Sequence, residues 1–335
     1  MNKYILFIFA LFFILTGCGK KNEVQGTGDK SVTNTQKKSD STAVNAQNLP
    51  KFKIAFQRED GVNLINSDLT GEKYLYKGYD NVISPDGSQI AYTQSNQDGT
   101  RNIVLFNYEI NLPVVLNSIE GENSFDASYS PDGKMLVFCN FSGKKWNIAR
   151  VNTDDSGFKI LTASYERDLF CPTFAPDGKS ILCHDMQNFI EMDLNGKILR
   201  TYPMNAVFGD KPIYISSANK AYFINNKKEI LFDADTEVFF ETSREPISNI
   251  FVYNIESKTL KNITDEKISS YDPYPVSDGT HILFSAYTKE DLSKSSDPRD
   301  NEPVILSWVY VMNMDGTGKS KLIKNALEPS ASKVE

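Results

Sequence analysis

The chain has 335 residues, of which 40% are hydrophobic and 24% charged, enough for one large or two ordinary domains with a substantial core. A formal charge of −7 and a pI of about 5.1 disfavour a nucleic-acid binder, which normally carries a basic face. Aromatics reach 12%, with 21 Phe and 16 Tyr, a composition that suits an all-β protein.

The first element is a leader. Met1-Asn2-Lys3 is a short basic start, and Tyr4 to Leu15 is an unbroken apolar run. Its length fits the apolar part of a signal peptide and falls short of a comfortable transmembrane helix. Leu15-Thr16-Gly17-Cys18 then places a branched aliphatic and two small residues before a cysteine. This resembles the bacterial lipobox. The resemblance implies that residues 1–17 are a lipoprotein signal peptide, removed by a peptidase whose cleft admits only small side chains. It also implies that Cys18 becomes the lipidated first residue, anchored in a bilayer. Residues 18–50 follow as a tether. Lys20 to Asn48 is rich in Lys, Asn, Ser, Thr, Gln and Gly and has no aromatic, so it buries too little apolar surface to offset its ordering entropy. Pro50 marks its end, and the folded part is expected over residues 51–335.

A repeat dominates that part. Ser84-Pro85-Asp86-Gly87 recurs as Ser130-Pro131-Asp132-Gly133, Ala175-Pro176-Asp177-Gly178 and Val276-Ser277-Asp278-Gly279. The first three Asp fall 46 and 45 residues apart, the size of a four-stranded propeller unit. Pro suits the second position of a type I turn, Asp the third, and Gly the positive φ that follows. Alternating apolar residues flank each turn, so each is an inner hairpin. Outer hairpins are expected at 61–76, 102–116, 146–161, 189–200, 249–263 and 308–323, which gives six units. The fifth inner hairpin is degenerate and is expected over Lys211 to Ile224, with Ser217-Ala218-Asn219 in place of the turn. The sixth is split. Lys53 to Gln57 lacks a preceding partner, and Leu327 to Lys333 resembles Phe125 to Pro131, so the C-terminal strand is expected to close the first unit.

The motif Asp-x-x-aromatic-Ser-Pro-Asp-Gly-x-x-Leu-x-Phe, best matched over Asp126 to Phe138, and Val311-Met312-Asn313-Met314-Asp315-Gly316 resemble the TolB-like (WD40-like) six-bladed β-propellers. The likeness covers about residues 52–335. It implies an all-β, six-bladed propeller and binding of proteins through a propeller face. It does not imply a role in the Tol–Pal system, because the low-complexity tether stands where TolB carries an α/β domain.

The sequence carries neither a Gly-x-Ser-x-Gly elbow nor a His-Glu-x-x-His motif, and its two His, His184 and His281, read as strand residues. Cys139, Cys171 and Cys183 read as small buried hydrophobes, with a single bridge left open. The constellation with chemistry in it is acidic. Asp80, Asp126 and Asp272 stand six residues before their turn Asp, Glu328 takes the same place, and Asp168 and Asp210 sit in the corresponding lead-in loops. Such a ring at a channel mouth would attract a cation, such as Ca²⁺, or a basic partner. The alternative is that the Asp caps its strand or bonds the next blade. Asp233 to Glu237 reads as a solvated loop, and Thr288 to Pro303 as a long loop at the mouth.

The expected protein is a monomeric, lipid-anchored, non-enzymatic scaffold at the bacterial cell envelope, outside the cytoplasm, without a cofactor. Its partner is another envelope protein or a peptide. Carbohydrate or peptide binding at the mouth, or a lyase-like activity needing a His/Arg/Tyr cluster, are the alternatives.

Overall fold

The computed structural model describes residues 44–121, 123–241, 243–293 and 304–335. Cys18, the leader and most of the tether lie outside them, as do residues 294–303 of the long loop. Packing begins earlier than Pro50. Val44 N donates to Gly318 O at 2.9 Å, Ser320 Oγ donates to Val44 O at 2.5 Å, and Leu49 is buried in the first core cluster.

The fold is an all-β propeller. Among the described residues, four sheets have four strands each, hydrogen-bonded antiparallel between neighbours. One runs Leu327–Ala331, Lys53–Arg58, Gly61–Asn66, Lys73–Tyr76; another Phe170–Phe174, Ser180–His184, Asn188–Asp193, Ile198–Pro203. The third runs Ala221–Ile224, Glu229–Phe239, Pro246–Asn254, Thr259–Asn262, and the fourth Ile268–Pro275, His281–Thr288, Trp308–Asn313, Ser320–Lys324. The remaining large sheet has eight strands, from Tyr79–Ile83 through Lys159–Ile160. Six separate four-stranded sheets were expected. Four stand alone, because the second and third repeats are joined through one parallel pair, Arg101 with Asn123. The cause is local: Arg101 Nε donates to Asn123 Oδ1 at 2.9 Å and holds the two strand starts together.

Each repeat contributes one innermost strand: Tyr79–Ile83, Asn123–Tyr129, Phe170–Phe174, Ala221–Ile224, Ile268–Pro275 and Leu327–Ala331. Each packs beside the next, and the last packs beside the first, so they enclose a central channel. Leu327–Ala331 pairs with Lys53–Arg58, Ile54 opposite Ala331, which is the closure expected from the sequence. The fifth inner hairpin is not where the sequence reading put it. It joins Ala221–Ile224 to Glu229–Phe239 through Asn225-Asn226-Lys227-Lys228, and Ser217-Ala218-Asn219 precedes it. Asp233 to Glu237 is correspondingly strand rather than loop, with Asp233 buried.

The residue six after each turn Asp, aromatic in three repeats and Cys183 in the fourth, explains the packing. Tyr92, Phe138 and Phe284 sit on the second strand of their sheets with Phe56 and Phe232, all buried between neighbouring sheets. Each such side chain contributes about 1.5–3 kcal/mol of hydrophobic stabilisation. The turns fold as their residues dictate: Ser84 Oγ and Ser130 Oγ donate to Asp86 and Asp132 at 2.6 Å, and Gly87 and Gly133 take φ of 67° and 71°.

Candidate functional site

The channel is built on a repeated irregularity. Five innermost strands carry a bulge of two residues opposite one on the second strand, which shifts the register by one, at Asp80-Asn81, Asp126-Ala127, Cys171-Pro172, Asp272-Pro273 and Glu328-Pro329. The first residue of each bulge has positive φ: Asp80 51°, Asp126 60°, Cys171 52°, Asp272 51° and Glu328 52°. Asp tolerates this region better than most side chains, whereas Cys and Glu occupy it only under constraint. Counting back from the hairpin turn, the equivalent residue of the fifth repeat is Lys220. The ring is therefore Asp80, Asp126, Cys171, Lys220, Asp272 and Glu328.

Four of the six acids named from the sequence come together. The other two do not. Asp168 lies three residues before Cys171 and accepts a 2.8 Å bond from Trp146 N, and Asp210 is exposed in the turn after the short helix Met204–Phe208. Lys220 and Cys171 hold their ring places. Lys220 Nζ pairs with Asp126 Oδ1 at 2.6 Å.

Thirteen residues after each ring residue but Glu328, the second strand passes behind it with Thr93, Cys139, His184, Asp233 or Ser285. Ser285 Oγ donates to Asp272 Oδ2 at 3.1 Å and accepts from Glu328 N at 2.8 Å; Thr93 Oγ1 accepts from Asp126 N at 3.3 Å. Ring residue, hydroxyl and the next strand's N–H thus form a link between repeats. His184 fills this place in the fourth repeat. It is fully buried, with Nε2 2.9 Å from Asn219 O and Nδ1 accepting from Met186 N, and burial lowers its pKa to about 4. Both nitrogens of a neutral ring are thereby used. His281 pairs with Asp278 in the turn at 2.5 Å. Cys139, Cys171 and Cys183 are buried free thiols, and Cys171 Sγ donates to Ser217 O at 3.2 Å. The spacing of thirteen was readable in the sequence; Lys220 was not, because the fifth turn was misplaced.

The links leave charge unsatisfied. Asp80 Oδ2, Asp126 Oδ2, Asp233 Oδ1 and Glu328 Oε2 are buried without a hydrogen-bond partner. Burial raises Asp80 to about 6, helped by Asp126 and opposed by Lys220, and raises Asp272 to about 6. Burial, Asp80 and Asp272 hold Glu328 well above the usual carboxylate range, and burial with Asp272 does the same to Asp233. Burial opposes the Lys220 charge, but Asp126 overcomes it and raises that pKa well above the ordinary value. As whole residues, Asp80, Asp272 and Glu328 are nevertheless half-buried rather than fully buried. Among the described residues no group of three or more His, Cys, Asp or Glu is arranged to hold a metal ion.

Tyr222 and Tyr274 lie below the ring, their rings 5.8 Å apart and edge to face. Beyond them, at the end formed by the hairpin turns, the channel widens into a cavity of 770 Å³. This cavity therefore lies at the turn end of the channel, away from the acid ring.

No family model matches the chain, and no curated protein matches it. Solved structures do. TolB from Acinetobacter baumannii superposes with a TM-score of 0.59 at 14% identity, over 84% of this chain and 67% of that one. A putative TolB from Agrobacterium tumefaciens gives 0.54 at 14% identity, over 85% and 98%. The chain has the TolB-like β-propeller fold. A nidogen/laminin complex gives 0.55 at 8% identity, over 85% and 99%, so the architecture extends well beyond the TolB structures.

Proposed function

We propose that this TolB-like propeller is a six-bladed, lipid-anchored, non-enzymatic scaffold at the bacterial cell envelope. It binds a protein or peptide partner at the channel mouth through a basic side chain. The eight-stranded sheet counts as two blades, since each half supplies its own innermost strand. The observation that carries the proposal is the set of buried carboxylate oxygens left unpartnered on Asp80, Asp126 and Glu328. Lys220 meets one acid directly, and a guanidinium or ammonium entering the mouth would satisfy others. The side chains that stand behind the ring are two hydroxyls, a thiol, a neutral imidazole and the buried Asp233 carboxylate, a set that supports binding rather than turnover.

The test is crosslinking and pull-down from intact cells with Asp80→Asn, Asp272→Asn, Glu328→Gln against wild type. The triple variant should fold, capture less of the partner and flatten the salt dependence of binding. Capture of the same partner with unchanged salt dependence would rule the mouth out.

A further inference from the structure

The turn-face cavity is independent of the acid ring. It is enclosed by all six innermost strands, and its 770 Å³ falls within the range of about 300–1,000 Å³ typical of small-molecule sites. Tyr129, Phe174, Phe223 and Met314 are among its walls. Its two charged lining side chains are of opposite sign and already hold hydrogen bonds to neutral partners: Lys333 Nζ donates to Pro131 O at 2.6 Å, and Glu229 accepts from Asn254 at 3.2 Å. What remains unengaged is neutral. Tyr129 is 8% exposed, and its hydroxyl is buried with no partner. Asn225 and Asn226 stand on the exposed rim at φ of 49° and 53°, where three other repeats place Pro85, Pro131 and Pro176.

We propose that this cavity binds a short uncharged oligosaccharide. Aromatic walls suit the C–H faces of a pyranose, and a phenol with two carboxamides suits its hydroxyls, each being donor and acceptor. A charged ligand would meet one lining charge of each sign, Lys333 and Glu229, and so no net counter-charge, and a purely apolar one would leave the Tyr129 hydroxyl buried and unpaired.

Isothermal titration of the whole folded protein with maltotriose, cellotriose and triacetylchitotriose tests this, with trigalacturonate as the anionic control. At least one neutral trisaccharide should bind at millimolar concentration or tighter, and more tightly than the control. Tyr129→Phe should weaken it about 3- to 10-fold, the scale of one hydrogen bond, without lowering Tm. Asn225→Gly with Asn226→Gly, which keeps the positive φ, should weaken it as well. Asp80→Asn with Asp272→Asn should leave it unchanged, separating this site from the mouth. No binding by any neutral trisaccharide, preference for the anionic one, or equal affinity in the Tyr129 and Asn variants would overturn the proposal.

Discussion

Asp80 and Asp272 hold a conformation that Asn also tolerates, so they can be neutralised with little change of backbone. Their folded pKa values, about 6, lie above the 3.8 of an ordinary Asp, so the folded state binds protons more tightly than the unfolded one. Their contribution to stability is therefore fullest below about pH 4 and is lost as pH rises toward 6. Asp80→Asn with Asp272→Asn should raise Tm at pH 8 by several degrees and change it little at pH 4. Surface turn acids titrate in the opposite sense. In Asp132 the Ser130 hydroxyl is the main cause of a lowered pKa. In Asp86 slight burial works the other way and is outweighed by the Ser84 and Ser88 hydroxyls. Both acids are present in variant and wild type alike, so the difference between the two melts isolates the ring. At this scale the sequence showed four of the ring acids through their fixed distance from the turn. It hid Lys220 and Cys171, since neither resembles the residue whose place it takes.

Among the elements, the hairpins were legible wherever Pro-Asp-Gly set the turn. The fifth failed for a physical reason. Its turn is Asn225-Asn226-Lys227, where three successive residues take positive φ without a glycine, and Ser217-Ala218-Asn219 upstream had the more turn-like composition. That displacement turned Asp233 to Glu237, an extended part of an 11-residue strand, into an apparent loop. The stretch between Ile224 and Asn249 is thus mostly strand. The closing strand was readable because Leu327 to Lys333 repeats an inner-strand pattern beside an unpaired Lys53 to Gln57. Deleting residues 327–335 removes that strand, the Ser330 hydroxyl that accepts from Ile83 N, and the Ser332 hydroxyl that accepts from Lys53 N. The deletion should lower Tm by roughly ten degrees or more in a thermal melt, far beyond a tail trim, because it opens two sheet edges. A melt within two degrees or so of wild type would show that the ring does not depend on it.

For the molecule as a whole, the propeller was legible from its period and the partition into sheets was not, because the Arg101–Asn123 contact that merges two repeats leaves no mark on either one. The proposed leader makes its own prediction. Cys18→Ala should move the protein from the membrane fraction to the soluble one and make its processing indifferent to a signal peptidase II inhibitor. Continued membrane fractionation would remove the anchor from the proposal. The closure also has a consequence in time. Lys53 N meets Ser332 Oγ across 279 residues of sequence. At a synthesis rate of about 5–20 residues per second, the first sheet waits on the order of tens of seconds for its fourth strand. Until then the nascent chain carries an unpaired edge that any other strand can join. The closing strand therefore acts as a completion signal: the ring locks only once residues 327–331 have been made, and a chain truncated upstream of them is marked by an open edge.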